Sequence, residues 1–530
     1  MQSSATIDES LLSRLVDSLG AGAVALDAGT RELYGQDISG DAQPVLAVVR
    51  PACTEDVVRT VDFAREQDLV IAPRGGGMSY SSGYVCPGGR TLCLDMARMD
   101  EVVEVNAEDM YVTVQAGCTW GKLNETLTPL GLRTPFWGTL SGRRATVGGG
   151  LSQNSLFWGS ARHGSAVDSV IGFEVVLANG ERLRTGAGAQ IHSNPFFRHY
   201  GPDLTGLFTC DVGALGIKTA ATLKLLPVGD GGASVSFDFS THAPLMNAMS
   251  EVSRQRLADA CFAFDPVMRA QRMKRESLLA DAKALGNVVS GEDSVLGGLR
   301  EGLKVAVAGR GFMKDVDYSV HFMVEEATQA AADESAERIR AACTARGGRE
   351  IENSIPKIAR ANPFGPLNSM IGPAGERWLP VHGLFPHSRA VAAYEAVEAL
   401  FEENRSEMER HEILHGTLFT YADTNCFVVE PVFYWPDQLN ALHRHSVEAA
   451  VLRKVNHFPE DLAARGEVMR MRDELIALFR DMGAVHLQIG RRYPYPEGLQ
   501  DTPRRLMSAL KRLLDPDGRI NPGALGLPAD

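Results

Sequence analysis

The 530-residue sequence lacks the features that mark several special classes of protein. It has no long uncharged apolar run, no internal repeat, and only 8 cysteines, none of them in a Cys-x-x-Cys pair or a cysteine–histidine cluster. It also lacks a basic excess, because 53 Lys and Arg residues stand against 66 Asp and Glu residues, for a formal net charge of -13. These absences argue against a membrane-spanning chain, a disulfide-stapled module, a solenoid and a general nucleic-acid binder.

The N-terminal residues also lack the pattern of a secretory signal peptide. Asp8 and Glu9 stand where such a peptide carries Lys or Arg, and the apolar residues have the spacing of an amphipathic helix. We therefore expect a cytoplasmic protein with mostly reduced cysteines, and a homodimer is the default expectation for its assembly.

What the sequence does contain is enough apolar material for large cores. Its length and 44% hydrophobic content predict about two to four domains. Residues 1–44 are expected to form a helical segment, and short β-branched runs between helical patterns predict an α+β domain over residues 45–228. After a glycine-rich linker, long amphipathic stretches alternate with strand-like runs, which predicts a sheet with helices on one face over residues 229–483. The simplest arrangement places this second part as a cap over the first.

Two glycine clusters are the most informative local features. Arg74-Gly75-Gly76-Gly77-Met78-Ser79 directly follows a predicted strand, and Gly148-Gly149-Gly150-Leu151-Ser152 follows about 70 residues later. Consecutive glycines let backbone N–H groups turn to one side, and such a concavity binds a pyrophosphate. The two segments together are suited to clamp one extended dinucleotide. Tyr80 and Gln153 occupy the third glycine position of a Rossmann fingerprint, which disfavours that fold.

Two other motifs suggest different chemistry. The segment 117–123 resembles a Walker A loop but is one residue short and lacks the Ser or Thr that holds Mg²⁺. His411-Glu412-Ile413-Leu414-His415 satisfies the zinc-peptidase pattern, yet Gly416 and an extended run follow at once, so the required helix is expected to end inside the motif. We therefore expect no metal site, although Glu412 and His415 remain candidates to face a substrate pocket.

The glycine clusters and three further segments resemble the vanillyl-alcohol oxidase and p-cresol methylhydroxylase (PCMH-type) flavoproteins. These segments are 172–186, which is similar to the strand, hairpin and strand of that family, 200–217, which is similar to its flavin-domain signature, and 514–523, near the C-terminus. The resemblance covers residues 45–228 strongly and is clear again from 484 to 525. It implies an α+β fold in which a two-subdomain PCMH-type FAD-binding domain, completed by residues 484–530, is covered by an α+β cap that binds substrate.

The resemblance implies FAD as the cofactor. The implied contacts are Arg74, Gly75, Gly76, Gly77, Met78, Ser79, Gly148, Gly149, Gly150, Ser152, Ile217 and Asn521. Some relatives link the flavin through a His in the first glycine loop, where this chain has Met78, and others through a His or Tyr at a position that aligns with Glu376. We therefore expect non-covalent FAD, with His382 as the remaining candidate for a covalent link.

The resemblance also implies a small-molecule substrate and an electron acceptor, either oxygen or a redox protein. Phenol-oxidising relatives hold the phenolate with two tyrosines and an arginine; Tyr80 matches one tyrosine, whereas His486 and Leu487 stand at the other pair. Tyr80 and His486 are thus expected to place the oxygen of an aromatic alcohol or alkylphenol during hydride transfer to the flavin. The alternative is a 2-hydroxy acid whose carboxylate is bound by Arg143 or Arg144. A catalytically silent flavin carrier is the third possibility.

Overall fold

The first sheet lies in the N-terminal part of the chain. The computed structural model describes residues 9–40, 42–86, 89–275 and 315–527. The strands of this sheet are β1 Val24–Ala25, β2 Ala47–Val49, β3 Val70–Arg74 and β4 Thr91–Asp95, in the order β1-β2-β4-β3. Strands β2, β4 and β3 are parallel. The helices around it are α1 Glu9–Leu19, α2 Ala28–Tyr34 and α3 Thr54–Glu66.

Helix α3 shows why this part of the sequence folds as expected. Its buried residues Val57, Val61 and Ala64 follow helical spacing, and two acidic residues occupy its first turn, where the helix dipole favours negative charge. Leu11 and Leu15 of α1 belong to the same hydrophobic core. The first eight residues of the predicted N-terminal helix lie outside the described residues.

A second sheet follows, in which all strand pairs are antiparallel. The strands of this part are β5 Val102–Asn106, β6 Tyr111–Gln115, β7 Leu132–Arg133, β8 Val170–Val176, β9 Arg182–Arg184, β10 Ile217–Lys224 and β11 Leu226–Pro227. The sheet order is β5-β6-β10-β8-β9, and β7 pairs with β11 separately. The helices of this part are α4 Trp120–Leu127, α5 Val147–Gln153, α6 Ser160–His163 and α7 Leu204–Leu207.

The third and largest sheet has eight strands. They are β12 Gly231–Phe239, β13 Ala260–Phe264, β14 Tyr318–Glu326, β15 Arg349–Glu350, β16 Arg377–Pro380, β17 Gly383–Phe385, β18 Leu414–Ala422 and β19 Cys426–Trp435. The order is β15-β12-β14-β13-β18-β19-β16, with β17 also paired to β19. The helices are α8 His242–Arg254, α9 Pro266–Arg275, α10 Gln329–Thr344, α11 Ser354–Ala361, α12 His387–Glu403, α13 Arg405–Arg410, α14 Ala441–Ser446, α15 Ala449–Leu452 and α16 Leu462–Asp481.

The two faces of this sheet have different partners. Side chains alternate between faces along a strand, and in β13 Cys261 and Ala263 join the core that includes buried residues of α8, α10, α12 and α16. Phe262 and Phe264 of the same strand instead join a cluster with Trp158, which precedes α6. One face is therefore covered by helices, and the other packs toward the N-terminal half of the chain.

The C-terminal segment returns to the first sheet. It contains the helices α17 Tyr495–Gly498 and α18 Asp501–Leu514. Ile520 forms a parallel bridge with Ile71 of β3, and the Asn521 side-chain Nδ2 donates hydrogen bonds to the carbonyl oxygens of Gly83 and Val212. Residues more than 400 positions apart are thus joined beside the first glycine cluster.

Candidate functional site

One cavity of about 300 Å³ lies where the glycine clusters meet the largest sheet. Its wall on one side is formed by the loop after β3 and by α5. Its opposite wall is formed by side chains of β18 and β19, by Arg272 of α9 and by the segment containing Leu487 and Gln488. A ligand bound in the glycine loops and a second ligand under the sheet would therefore share one space.

The loop after β3 provides unused hydrogen-bond donors. Gly76, Gly77, Met78 and Ser79 all line the cavity. Within the described part of the chain, none of their backbone N–H groups donates a hydrogen bond. Buried N–H groups are almost always paired in folded proteins, so four consecutive unused donors on a cavity wall are suited to bind the oxygens of an anion.

Arg74 adds positive charge to this loop. Its side chain is buried, its Nε has no hydrogen-bond partner, and its guanidinium lies over the rings of Tyr34 and Tyr84, 4.2 and 5.1 Å from their centroids. The guanidinium also lies directly against Gly77, where an added Cβ would come within 2.1 Å of it. Acidic and phenolic neighbours raise the pKa of Arg74 although burial opposes this, so the group stays charged. The loop is therefore both donor-rich and electropositive, as a pyrophosphate requires.

The second glycine cluster has a different role from the first. It forms the start of α5, and its N–H groups already have partners: Gly148 donates to Ala116, Gly149 to the Thr146 hydroxyl and Gly150 to the Thr146 carbonyl. A Cβ on Gly150 would lie 2.8 Å from Trp120 Nε1. Gly148, Gly149 and Gly150 nevertheless line the cavity, so this cluster offers close approach to a ligand rather than unused N–H donors.

The other predicted cofactor residues are divided between the cavity wall and the layer behind it. Gly75 and Ser152 line the cavity. Ile217 does not: it lies in the hydrophobic core, and its neighbours Gly216 and Lys218 line the cavity instead. Asn521 is also absent from the wall and holds the C-terminal segment against the Gly83 carbonyl. Both residues thus lie behind the cavity wall, and their contact with a cofactor stays a prediction.

Candidate positions for a covalent flavin link have different surroundings. Met78 lies in the cavity wall, but its thioether lacks the ring nitrogen through which a histidine at this position links to the flavin in some relatives. The Glu376 carboxylate accepts a hydrogen bond from the backbone N–H of Ala374 and does not line the cavity. His382 lines the cavity, but its Nε2 lies 2.8 Å from the Leu487 carbonyl and burial lowers its pKa to about 3.

The part of the cavity under the sheet is aromatic and apolar with few polar groups. The register of β18 and β19 pairs Leu418 with Glu430 and Thr420 with Val428, and all four side chains line the cavity because residues two apart share a face. Further apolar lining comes from Leu140, Phe157, Leu367, Met370 and Trp378.

Tyr80 is the best-defined polar group in this part of the cavity. Its ring meets that of Trp378 edge to face at 5.7 Å, and its hydroxyl oxygen accepts a hydrogen bond from Gln488 Nε2 at 3.0 Å. Burial, with a smaller contribution from the charge of Glu430, raises the pKa of Tyr80 well above its usual value. Tyr80 is therefore a neutral phenol that keeps its proton and can donate it in a hydrogen bond.

His486 lies behind the cavity wall. Its Nδ1 lies 2.8 Å from the carbonyl oxygen of His382, and its ring stacks on Tyr493 at 4.2 Å. The cavity lining includes His382, Leu487 and Gln488 but not His486. The expected contact between His486 and a substrate oxygen therefore stays a prediction, and Gln488, two positions further on, is the residue that lines the cavity.

The two arginines expected near the flavin also lie outside the cavity. Arg143 is exposed, and Arg144 is half-buried and donates a hydrogen bond to the Ser446 hydroxyl at 2.8 Å. Ser141 and Ala145, which flank them, line the cavity with their own atoms. Neither arginine side chain is therefore placed to bind a substrate carboxylate in this cavity.

The zinc-like motif does not lie on one helix. Helix α13 ends at Arg410, Glu412 has a left-handed backbone with φ 51°, and His415 lies in β18. His415 stacks on Phe401 at 3.9 Å, and neither it nor Glu412 lines the cavity. In the described ranges, no group of three or more His, Cys, Asp or Glu side chains is placed to hold a metal ion.

Arg272, Glu430 and Gln488 are polar cavity residues that the sequence did not point to. Glu430 carried a usable signal, since a carboxylate inside the apolar run of β19 is unusual for a buried strand. Arg272 and Gln488 carried none, because only the folded sheet brings α9 and the C-terminal segment to the same space.

A donor-rich glycine loop thus shares one cavity with an aromatic pocket under an antiparallel cap sheet, which is the arrangement expected of a PCMH-type fold. The profile of the FAD binding domain family matches residues 45–186. The structure of p-cresol methylhydroxylase with substrate bound superposes with a TM-score of 0.72 at 16% identity, covering 98% of this chain and 97% of that one. The expected PCMH-type α+β fold is confirmed, and the chain carries an FAD-binding domain.

Sequence relatives match a shorter part of the chain. Glycolate oxidase subunit GlcD of Bacillus subtilis is 33% identical over 198 residues, which is 37% of this chain and 40% of the relative. The mitochondrial D-lactate dehydrogenase [cytochrome] of Arabidopsis thaliana is 30% identical over 246 residues, 45% of this chain and 41% of the relative. The chain is thus similar to redox enzymes over less than half of their length.

No helix among the described residues has the length and apolar character needed to cross a membrane.

Proposed function

We propose that the protein is an FAD-dependent oxidoreductase that oxidises an aromatic alcohol or an alkylphenol. The observation that supports this best is the Tyr80 hydroxyl, held by Gln488 inside an aromatic cavity that continues into the unpaired N–H groups of the glycine loop. A phenol or benzylic hydroxyl has an apolar ring for such walls and one oxygen for such a donor.

Different residues bind the cofactor and the substrate at the two ends of the cavity. Gly76 to Ser79 and Arg74 would hold the FAD pyrophosphate, and bound FAD would supply the hydride acceptor. Tyr80 donates a hydrogen bond to the substrate oxygen and so orients the substrate, including the carbon to be oxidised, relative to the glycine loop. Trp378 and Phe157 hold the ring and exclude water, which strengthens the Tyr80 hydrogen bond. Because Met78 offers no linking nitrogen, Glu376 lies outside the cavity wall and the His382 Nε2 lies 2.8 Å from the Leu487 carbonyl, we propose that FAD is dissociable.

Anaerobic reduction of the flavin tests the proposal directly. The purified protein, supplied with FAD, is mixed without oxygen with 4-hydroxybenzyl alcohol, 4-ethylphenol, D-lactate or D-2-hydroxyglutarate, and the flavin absorbance is followed. Bleaching by an aromatic compound, slowed in Tyr80→Phe but not in the exposed control Tyr200→Phe, is the expected result. Bleaching by neither aromatic compound would contradict the proposal.

The sequence relatives supply a second candidate, the oxidation of a 2-hydroxy acid, because two of them are named for glycolate and D-lactate. Bleaching by D-lactate or D-2-hydroxyglutarate alone would replace the first proposal with this one. Acid precipitation provides a separate test of dissociable FAD: the yellow colour is expected in the supernatant, and a yellow pellet would show a covalent link.

A further inference from the structure

Arg272 of α9 is a cation on the cavity wall. The roles proposed for the glycine loop and for Tyr80 give it no function. Its Nε is buried and has no hydrogen-bond partner, and its guanidinium carbon lies 5.8 Å from the centroid of the Phe264 ring. Among the residues that the structure describes, no carboxylate forms an ion pair with it. A charge held partly out of water without an ion-pair partner is costly, so these surroundings favour an anionic ligand.

The acidic residue among the described residues that line this cavity is Glu430. It forms neither a hydrogen bond nor an ion pair with another described residue, and burial raises its pKa to about 7 although the charge of Arg272 acts in the opposite direction. At neutral pH a large fraction of Glu430 is therefore protonated. The positive charge of Arg272 is then not compensated by the protein itself.

We propose that Arg272 binds a carboxylate of the substrate, so that the substrate is an aromatic acid. The guanidinium is a planar fork that matches both oxygens of a carboxylate. The inference rests on the proposed function for the assignment of the other end of the substrate: the hydroxyl is held at Tyr80 and the carboxylate at Arg272, with the ring against Trp378 and Phe157. Protonated Glu430 can donate a second hydrogen bond to the same carboxylate.

The competing explanation is that Arg272 serves only as a distant counter-charge for Glu430. In that case a carboxylate ligand would have no advantage over a neutral one of the same shape. The two explanations therefore differ in ligand discrimination, which is measured at equilibrium and needs no turnover.

The experiment uses oxidised holoprotein and three pairs of ligands that differ only in charge at one end. The acids are 4-hydroxybenzoate, 4-hydroxyphenylacetate and 3-(4-hydroxyphenyl)propionate, each compared with its amide, which covers three separations of hydroxyl and carboxylate. Dissociation constants are measured by calorimetry and by the perturbation of the flavin spectrum. We expect at least one acid to bind about 10-fold or more tightly than its amide, since a hydrogen bond to a charged group contributes about 1.5–3 kcal/mol.

Variants decide whether Arg272 causes the preference. Arg272→Gln should abolish the preference and leave amide binding unchanged, Arg272→Lys should keep part of it, and Lys274→Gln on the exposed side of the same helix should keep all of it. Equal binding of acid and amide in all three pairs by the wild type, or an equal loss for both in Arg272→Gln, overturns the inference. Arg272→Lys keeps the test valid if Arg272→Gln does not fold.

Failure of the proposed function gives a different result. In one outcome, no aromatic compound bleaches the flavin, but the wild type still binds an acid more tightly than its amide and Arg272→Gln does not. The carboxylate site is then supported and the proposed reaction is wrong. If an aromatic compound bleaches the flavin but no acid binds more tightly than its amide, the proposed reaction is supported and the proposed role of Arg272 is wrong.

Discussion

Gln488 donates a hydrogen bond from its Nε2 to the hydroxyl oxygen of Tyr80, and the two atoms are 3.0 Å apart although the residues are 408 positions apart in the chain. Because this bond uses an acceptor site of Tyr80, the phenolic proton remains available for a second acceptor in the cavity. Gln488 has a left-handed backbone with φ 47°, and its own N–H donates to the carbonyl of Gln153 in α5. The C-terminal segment thus orients a residue of the glycine loop.

Replacing Gln488 by Leu should weaken binding through Tyr80. The variant loses the hydrogen bond that fixes the phenol, which contributes about 0.5–1.5 kcal/mol, so we expect the dissociation constant of 4-hydroxybenzyl alcohol to rise by about 2- to 12-fold. Tyr80→Phe should add little to Gln488→Leu if the two act together. A double-mutant cycle measured by calorimetry checks this, and fully additive effects would show that the residues act separately.

Replacing Gly76 by Ala should impair FAD binding. A Cβ on Gly76 would lie 1.8 Å from the carbonyl oxygen of Arg144, so the loop must move and its N–H groups with it. Loss of one hydrogen bond to the pyrophosphate should weaken FAD by about 10-fold or more. The measurement is titration of apoprotein with FAD, and Gly89→Ala is the control because a Cβ there meets nothing within 4 Å. Unchanged affinity in Gly76→Ala would contradict the assignment of this loop.

Replacing Asn521 by Ala should destabilise the attachment of the C-terminal segment. Its side chain donates to Gly83 and Val212 and accepts from Arg491, at 2.7–2.8 Å. Loss of this buried network should cost about 2–4 kcal/mol of unfolding free energy, measured by urea denaturation. Asn425→Ala, an exposed asparagine, should change it by less than about 0.5 kcal/mol. An Asn521 variant as stable as the wild type would mean that the segment is held by other contacts.

The sequence was sufficient for the elements that depend on local pattern. The β-branched run at Tyr111–Gln115 and the amphipathic helix at Thr54–Glu66 lie where they were expected. The apolar segment Ala260–Phe264 was not predicted as a strand, although it forms β13. A short apolar run without alternation has no period that separates strand from helix.

The substrate end of the cavity was predicted less well than the cofactor end. The glycine loop is continuous in sequence, so its role was recognisable from its residues. The polar residues at the substrate end come from distant parts of the chain. Only the register of the largest sheet and the return of the C-terminal segment bring together Tyr80, Arg272, Glu430 and Gln488. His486 was predicted to contact the substrate, whereas Gln488 lines the cavity in the structure and His486 lies behind it.

The affinity for an aromatic acid should fall as the pH rises through about 7. Glu430 has a raised pKa of about 7, so it is mostly neutral at pH 6 and mostly charged at pH 8. When charged, it compensates Arg272 and repels the carboxylate of the ligand. If only the protonated form binds, the apparent dissociation constant of 4-hydroxyphenylacetate should rise by about 10-fold between pH 6 and pH 8.

Tyr80, Tyr493 and His382, which lie near Glu430, do not titrate in this range. Burial raises the pKa values of Tyr80 and Tyr493, and it lowers that of His382 to about 3. Asp265 is the exception, because burial raises its pKa to about 7 and it accepts a hydrogen bond from the backbone N–H of Met268 in α9. The Glu430→Gln variant separates the two carboxyl groups. It should bind the acid with little dependence on pH between 6 and 8, whereas a pH dependence that persists in this variant would assign the effect to Asp265 and the helix that carries Arg272.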